Sequence, residues 1–246
     1  MARFDNSIDR DPPSATLPSD WTFRKGDVIQ NQVSSNATTG ITNQVIIATS
    51  TSGLTSVGNI SWDAPGSYSD GEILSLVRFN SFNSISNFLL LGIVRGTSTG
   101  TDFTFSCLTL VSCSSIAGNV LKLVNFINGT TSEMTPASSI SFASAVDTWY
   151  WARLNFQSSI YKGKVWALGT TEPGSFQVTA GATSLSTGFV GNTFDGDGTI
   201  GKKIAWFSAA TGTDTAPDWA YEGVNVTTLS ADTFTELFPN TKVSGY

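Results

Sequence analysis

Short apolar runs, each bounded by Gly, Ser, Asn or Asp, follow one another from about residue 42 to residue 208. Repeated short runs with turn residues between them are typical of strands in an all-β sandwich or barrel. The pattern predicts strands over residues 44–49, 60–63, 72–79, 88–95, 103–110, 120–126, 139–143, 148–156, 162–168, 176–179, 187–191 and 200–208.

Segment 148–156 alternates with the period of two that a strand requires. Its even positions are apolar and are Tyr150, Ala152, Leu154 and Phe156. Its odd positions are mixed and are Trp149, Trp151, Arg153 and Asn155. This alternation predicts a half-exposed strand, whereas segment 72–79, apolar on both sides, predicts a strand covered on both faces. Asn128-Gly129 predicts a tight hairpin turn, because both residues tolerate a positive φ.

The start of the chain differs in pattern from the sandwich domain, which we expect over residues 41–212. Residues 1–40 contain Pro12, Pro13 and a long polar stretch, and proline resists both helix and ladder. They predict an extended N-terminal arm. Its apolar anchors are Phe4, Trp21 and Phe23.

The end of the chain, residues 213–246, predicts a C-terminal tail with one short helix over residues 230–238. Phe234, Leu237 and Phe238 form an apolar edge at helical spacing. Two interpretations stay open: the edge folds back on its own domain, or it docks on a neighbouring subunit.

The charge balance and the absence of histidine exclude several activities. The 246 residues carry 13 Lys and Arg against 19 Asp and Glu, a net charge of −6, so no basic surface favours nucleic acid. Without histidine, neither a nucleophile–imidazole pair nor a histidine-ligated zinc or iron site is available. Carboxylate chemistry, oxygen-ligated Ca²⁺ or Mg²⁺, and pure binding remain.

The sequence contains no signal for a membrane or for export. No apolar run approaches the roughly 20 residues that a membrane helix needs, and the first residues lack the apolar core of a signal peptide. We therefore expect synthesis in a cytoplasm and a soluble product. Cys107 and Cys113 are too few for a disulfide framework, and their apolar surroundings favour two buried core residues; whether they pair stays open.

Several pieces of the chain, taken in their order and spacing, resemble a known superfamily. They are ISWDAPGSYSDGEIL at 60–74, DTWYWARLN at 147–155, YKGKVWALGTTEPGSF at 161–176, GFVG at 188–191 and IAWFS at 204–208, with PSDWT at 18–22 as the opening segment. Over about residues 17–210 the sequence resembles the concanavalin A-like lectin/glucanase superfamily, in the laminin-G-like form common in tailed-phage virion proteins. The resemblance implies an all-β fold, a two-sheet antiparallel jelly-roll sandwich.

The resemblance implies binding or assembly more readily than catalysis. Glucanases of this superfamily carry a Glu-x-Asp-x-x-Glu strand, and here the glutamates stand apart from one another. We expect a non-enzymatic structural component of a tailed-phage virion, in capsid decoration or attached to the tail, located in the virion. Its partners would be other virion proteins and copies of itself in a homo-oligomer. The alternative is a carbohydrate-binding, lectin-type module that recognises host or environmental glycans.

Two candidate ligand sites accompany these interpretations. The first is a sugar platform of aromatic and polar residues: Trp149, Trp151, Arg153, Asn155, Lys164 and Trp166. Its alternative is that these Trp residues fill the space between the two sheets. The second is a Ca²⁺ site at Asp195 and Asp197, for which an ordinary Gly-rich turn is the alternative. No other cofactor is expected.

Overall fold

A computed structural model describes residues 3–7, 21–25, 29–35, 42–48, 58–62, 66–67, 69–79, 89–97, 105–111, 120–128, 130–134, 139–181, 185–194 and 202–216. Within these ranges the chain forms strands and no helix, and hence nothing in them is a helix able to cross a membrane. In chain order the strands are β1 (Arg3–Ser7), β2 (Trp21–Lys25), β3 (Ile29–Ser35), β4 (Thr42–Ala48), β5 (Gly58–Trp62), β6 (Gly71–Phe79), β7 (Leu89–Gly96), β8 (Phe105–Val111), β9 (Val120–Ile127), β10 (Thr130–Glu133), β11 (Ser139–Ser141), β12 (Trp149–Gln157), β13 (Ile160–Ala167), β14 (Val178–Gly181), β15 (Phe189–Phe194) and β16 (Lys202–Thr211).

These strands form two antiparallel sheets of eight strands each. Sheet I has the order β14-β13-β12-β6-β16-β4-β3, and β1 pairs with β16. Sheet II has the order β10-β9-β8-β7-β15-β5-β2, and β11 pairs with β9. Strands distant in sequence are neighbours in both sheets, as β16 is to β6 and β15 is to β5. The all-β, two-sheet fold class is therefore confirmed.

The predicted strands each overlap an observed one, and the differences lie mainly in the first 40 residues. β1, β2 and β3 pair with β16, β5 and β4, so this part of the chain contributes three strands to the sheets. The sandwich therefore begins well before residue 41, where the sequence pattern puts its boundary. β1 and β3 are mostly polar in sequence. Backbone hydrogen bonds hold them in the sheet, so their side chains need no apolar periodicity that a sequence pattern could detect.

The main core lies between the sheets. It joins residues of sheet I, such as Val77 and Leu154, to residues of sheet II, such as Leu91 and Val94. Within this core Phe207 packs in T-shaped geometry against two tryptophans: its ring centroid is 5.1 Å from that of Trp21 and 5.8 Å from that of Trp62. This core holds the two sheets face to face.

Two local predictions are confirmed by backbone geometry. Asn128 has a φ of 48° and joins β9 to β10, with Thr130 opposite Ile127, as expected for a two-residue hairpin turn. Strand β6 is buried at every position, as expected for a strand covered on both faces.

Glycine is required where β15 approaches β5. A Cβ at Gly191 would lie 2.0 Å from the carbonyl oxygen of Ile60, a distance no side chain tolerates. The same strand has a register shift against β7 between Phe189 and Gly191. The close backbone approach therefore fixes where β15 sits in sheet II.

Three predicted features fall outside the described residues. They are the Ca²⁺ pair Asp195 and Asp197, the helix over 230–238 with its apolar edge Phe234, Leu237 and Phe238, and Cys113. Cys107 lies in β8, so the pairing of the two cysteines stays open.

Candidate functional site

The odd positions of β12 lie on the outer face of sheet I, the face turned away from sheet II. Tyr150, Ala152 and Leu154 belong to the core between the sheets. Trp149 and Trp151 belong to a separate apolar cluster, which we call the outer-face cluster: Leu74, Leu76, Trp149, Trp151, Trp166, Trp206, Ala210 and Ala216. Apart from Ala216, its members all come from strands of sheet I.

The structure brings the predicted sugar-platform residues together on this outer face but buries the aromatic ones. Trp151 is opposite Trp166 on β13, and their rings stack with centroids 6.3 Å apart. Trp149, Trp151 and Trp166 are 2%, 4% and 8% exposed. The strand is thus covered on both faces rather than half exposed, and the tryptophans fill a second core rather than the space between the sheets. As a sugar platform, the set stays a prediction.

A polar network continues the outer face beyond the tryptophans, and Arg153 is its centre. Its Nη1 donates to Glu72 Oε1 and, at 3.1 Å, to the carbonyl oxygen of Ala216. Its Nε and Nη2 donate to the two carboxylate oxygens of Glu172 at 2.8 and 3.4 Å, a bidentate pair. Burial lowers the pKa of Arg153, but the charges of Glu72 and Glu172 outweigh burial and raise it above its ordinary value. The guanidinium therefore stays charged.

The other polar platform residues belong to the same network. Asn155 Nδ2 donates to Glu72 Oε2 at 3.3 Å, and Lys164 Nζ lies 2.8 Å from Glu172 Oε1 and donates to the Pro173 carbonyl. Glu72 also accepts the Ala216 backbone N–H at 3.1 Å. These contacts hold the segment that follows β16 against the sheet.

A second polar assembly, which we call the Arg95 loop cluster, lies against Phe156 and Tyr161 of the main core. It consists of Ser67, Ser69, Asp70, Arg95, Ser158, Tyr161, Leu185 and Thr187. Arg95 is 2% exposed, and its donors reach the carbonyls of Ser69, Ser158 and Leu185 at 2.6 to 2.9 Å. It also donates to Tyr161 Oη at 2.6 Å, above whose ring it lies. One buried cation thereby joins three loops.

Asp70 is the accessible acid of this cluster, with 41% of its side chain exposed. Its Oδ1 accepts the Ser158 backbone N–H at 2.6 Å and Arg95 Nη2 at 3.3 Å. Exposed hydroxyls surround the same loops, and those of Ser67 and Thr187 are 3.3 Å apart. Among the described residues, the two donors that bind this carboxylate both bind Oδ1. Oδ2 is therefore available as an acceptor at a fixed position.

Sequence reasoning did not find this cluster. Asp70 follows Ser69 and precedes Gly71, which is typical of an ordinary turn, and the pattern puts Arg95 at the end of a strand. The unusual local feature is the positive φ of Arg95, 54°, and it is visible in the structure but not in the sequence. The loops meet only through the folded sandwich.

Metal-binding geometry is absent from the part of the chain that the structure describes. No group of three or more Cys, Asp or Glu side chains there is arranged to hold an ion. The predicted Ca²⁺ pair Asp195 and Asp197 lies outside those ranges, so a Ca²⁺ site there stays a prediction.

Solved structures resemble this arrangement of sheets. The VIP36 exoplasmic/lumenal domain in its Ca²⁺/Man-bound form matches with a TM-score of 0.51 at 10% identity, over 87% of this chain and 89% of that one. The carbohydrate-binding module CBM66 from Bacillus subtilis matches at 0.48 with 12% identity, over 75% and 91%. A β-1,3-glucanase from Mycobacterium marinum matches at 0.48 with 14% identity, over 85% and 98%. The chain has a concanavalin A-like jelly-roll fold.

Sequence comparison adds no closer relative. No protein-family model matches the chain, and no curated protein matches it. The resemblance of the sequence to this superfamily is thus supported at the level of the fold, and the function has to be argued from the residues.

Proposed function

We propose that this protein is a non-catalytic carbohydrate-binding module that holds sugar hydroxyls at the Arg95 loop cluster. The observation that carries the proposal is the Asp70 carboxylate, whose Oδ1 is held by the Ser158 N–H and by Arg95. An acceptor fixed in this way needs no ordering when a ligand arrives, which favours binding.

The chemistry of the cluster suits a neutral sugar. Sugars offer several O–H donors on one face, and a carboxylate oxygen accepts them in charge-assisted hydrogen bonds. The hydroxyls of Ser67 and Thr187 can both donate and accept, so they suit the ring and glycosidic oxygens as well. Arg95 is 2% exposed and its guanidinium donates to groups inside the protein, so it is not available to pair with the carboxylate of an acidic sugar.

Catalysis is not part of this proposal. Glycoside hydrolysis by the usual route needs two carboxyl groups facing a sugar cleft. Among the described residues, Glu72 and Glu172 are the two carboxylates that meet, and they do so through the guanidinium of Arg153. Glu72 is 4% exposed. A carboxylate pair that is neutralised by one arginine, with Glu72 buried, suits a structural role.

The test is a glycan screen on the full chain, followed by calorimetric titration of the Asp70→Asn and Glu172→Gln variants. VIP36 was solved in a Ca²⁺/Man-bound form, so mannose oligosaccharides come first. In the Asp70→Asn variant the amide keeps the acceptor Oδ1 but replaces Oδ2 by a donor, so we expect about tenfold weaker sugar binding. Glu172→Gln changes a part-exposed carboxylate on the outer face and should bind sugar like the original chain.

Two outcomes would refute the proposal: no glycan binds, or Asp70→Asn binds as well as Glu172→Gln. Repeating the titration with EDTA tests the Ca²⁺ prediction separately. Loss of binding in EDTA that Ca²⁺ restores would support a Ca²⁺ site outside the described residues, and binding unchanged by EDTA would leave the Asp70 site as a metal-free one.

A second candidate function is a structural place in a tailed-phage virion. It rests on the resemblance of the sequence to tailed-phage virion proteins. The pieces that carry the resemblance, at residues 60–62, 149–155, 161–167 and 204–208, all lie in strands of the sandwich and support the fold. The VIP36 domain is a mannose-bound protein, so that comparison favours the first candidate. Light scattering on the full chain tests the expected homo-oligomer. A monomer at all concentrations would count against self-assembly and leave only assembly with other virion proteins.

A further inference from the structure

Three polar side chains lie side by side across neighbouring strands of sheet I. Lys162 on β13 is directly opposite Asn155 on β12, and Asn155 is directly opposite Glu72 on β6. Directly opposite residues of an antiparallel pair extend from the same face of a sheet, with Cβ atoms about 4.5 to 5.5 Å apart. An amine, an amide and a carboxylate therefore follow one another, in this order, along the outer face.

The amide and the carboxylate are in contact. Asn155 Nδ2 donates to Glu72 Oε2 at 3.3 Å. The other carboxylate oxygen, Oε1, accepts from Arg153 and, at 3.1 Å, from the Ala216 N–H. Glu72 is buried, so these bonds fix the direction of its carboxylate. They hold Oε2 beside the nitrogen of the amide, where a proton can pass from one to the other.

The lysine next to this pair has no ionic partner of its own. Its neighbours across the two ladders are Asn155 on β12 and Thr179 on β14, and both are uncharged. Among the residues that the structure describes, none holds Lys162 Nζ in an ion pair or a hydrogen bond. Lys162 is partly exposed, and its flexible four-carbon side chain can turn Nζ toward Asn155 Cγ. The nucleophile is therefore free to reach the amide carbon.

We propose that Lys162 and Asn155 form an intramolecular isopeptide bond, with Glu72 as the proton carrier. Lys162 Nζ attacks Asn155 Cγ, the Nζ–Cγ bond forms, and the Cγ–Nδ2 bond breaks. Two of the three protons of the lysine ammonium pass to Nδ2, one of them through Glu72 Oε2. The leaving group therefore departs as ammonium, and Glu72 ends as the carboxylate that it was at the start. The step needs no oxidant and no second substrate.

The bond joins β12 to β13 covalently and persists when the protein unfolds. Asn155 and Lys162 are both partly exposed, so ammonium can leave into the solvent without opening the sandwich. Asp70 and the Arg95 loop cluster take no part in the reaction. The proposal therefore stands independently of the proposed function.

The experiment is mass spectrometry of the full chain, freshly purified and after incubation, with the protein denatured before measurement. We expect a loss of about 17 Da, the mass of ammonia. Trypsin cuts after Arg153, Lys162 and Lys164, but not after a lysine whose Nζ is part of an amide. The modified chain should therefore yield the peptide 154–164, lighter by the mass of ammonia, and its fragmentation should not separate Asn155 from Lys162.

Three variants decide which residues take part. Lys162→Arg keeps the positive charge but removes the reactive amine, so its peptides should keep their full mass. Lys122→Arg makes the same change on β9 of sheet II and should lose ammonia like the original chain. Glu72→Gln removes the proton carrier and should slow bond formation about a hundredfold. Glu72 also stabilises the sheet, so circular dichroism checks that this variant is folded, whereas Lys162→Arg changes only a partly exposed residue.

The proposal is overturned if peptide 154–162 of the original chain keeps its full mass after incubation. It is also overturned if Lys162→Arg loses ammonia as the original chain does, because the ammonia then comes from another amide, such as Asn128 before Gly129. Equal rates in the folded Glu72→Gln variant and the original chain would overturn the role of Glu72. None of these results affects the sugar titration at Asp70, so the two proposals can fail separately.

Discussion

The guanidinium of Arg95 illustrates how much of this fold depends on single buried charges. It bonds to carbonyls of Ser69, Ser158 and Leu185, which come from three different connections of the sandwich. The planar guanidinium of arginine donates to carbonyls in several directions at once, whereas the ammonium of lysine has three N–H donors on a single nitrogen. The residue is therefore both a structural clamp and the support of Asp70.

We predict that Arg95→Lys lowers the free energy of unfolding by about 3 kcal/mol or more, because several buried carbonyls lose their donors. Arg24→Lys is the matched control. Arg24 is part-buried, donates from Nε to Ser61 Oγ at 2.7 Å and lies over the Phe189 ring. We expect that variant to cost about 1 kcal/mol. Urea unfolding of both variants gives the comparison, and equal costs would refute the role assigned to Arg95.

Strands β6 and β12 also depend on a buried charge, here an ion pair between the two strands. Glu72 and Arg153 sit on these neighbouring strands and form a buried ion pair. Glu72 also bonds to Asn155 and to the backbone of Ala216, so it ties the segment after β16 to the sheet. Glu172 pairs with the same guanidinium from a loop, with 31% of its side chain exposed.

The two carboxylates should therefore differ in their contribution to stability. Glu72→Gln leaves the buried Arg153 with one carboxylate fewer and should lower the free energy of unfolding by about 3 kcal/mol. Glu172→Gln removes a part-exposed partner and should cost about 1 kcal/mol or less. Thermal and urea unfolding measure both. A larger loss for Glu172→Gln would mean that the loop, rather than the strand pair, holds the network together.

The elements that the sequence predicts are those with a clear apolar pattern, either alternating as in β12 or continuous as in β6. The segment of β12 alternates clearly, and Asn128-Gly129 marks the hairpin between β9 and β10. β1 and β3 lack that pattern, because backbone ladders with β16 and β4 hold them in sheet I. Backbone hydrogen bonds require no apolar pattern in the side chains, so no count of apolar positions could have found β1 and β3.

At the scale of the whole molecule, the burial of the outer face is what the sequence could not reveal. The odd positions of β12 predict a half-exposed strand because they combine two tryptophans with Arg153 and Asn155. In the fold, Arg153 is paired and Trp151 stacks on Trp166, and Ala216 returns from beyond β16 to pack with them. This cover comes from chain far away in sequence. The Arg95 loop cluster shares this property, since Asp70, Arg95 and Ser158 are brought together by long-range contacts alone.

The pairing of the two ends of the described chain gives a prediction for the molecule as a unit. β1 covers one side of β16 from Trp206 to Ala210, while β6 holds the other side. Deleting residues 1–8 would leave that stretch of β16 with unpaired backbone groups, and an open strand edge recruits another chain.

We therefore expect the shortened chain to unfold at a lower urea concentration than the full chain and to associate more strongly as its concentration rises. Urea unfolding and light scattering over a concentration series measure the two effects. If the shortened chain has the same unfolding midpoint and the same number of subunits as the full chain, β1 adds nothing to sheet I. A lower midpoint without association would show that β16 keeps its edge protected by other means, because stability and edge protection are separate contributions of one strand.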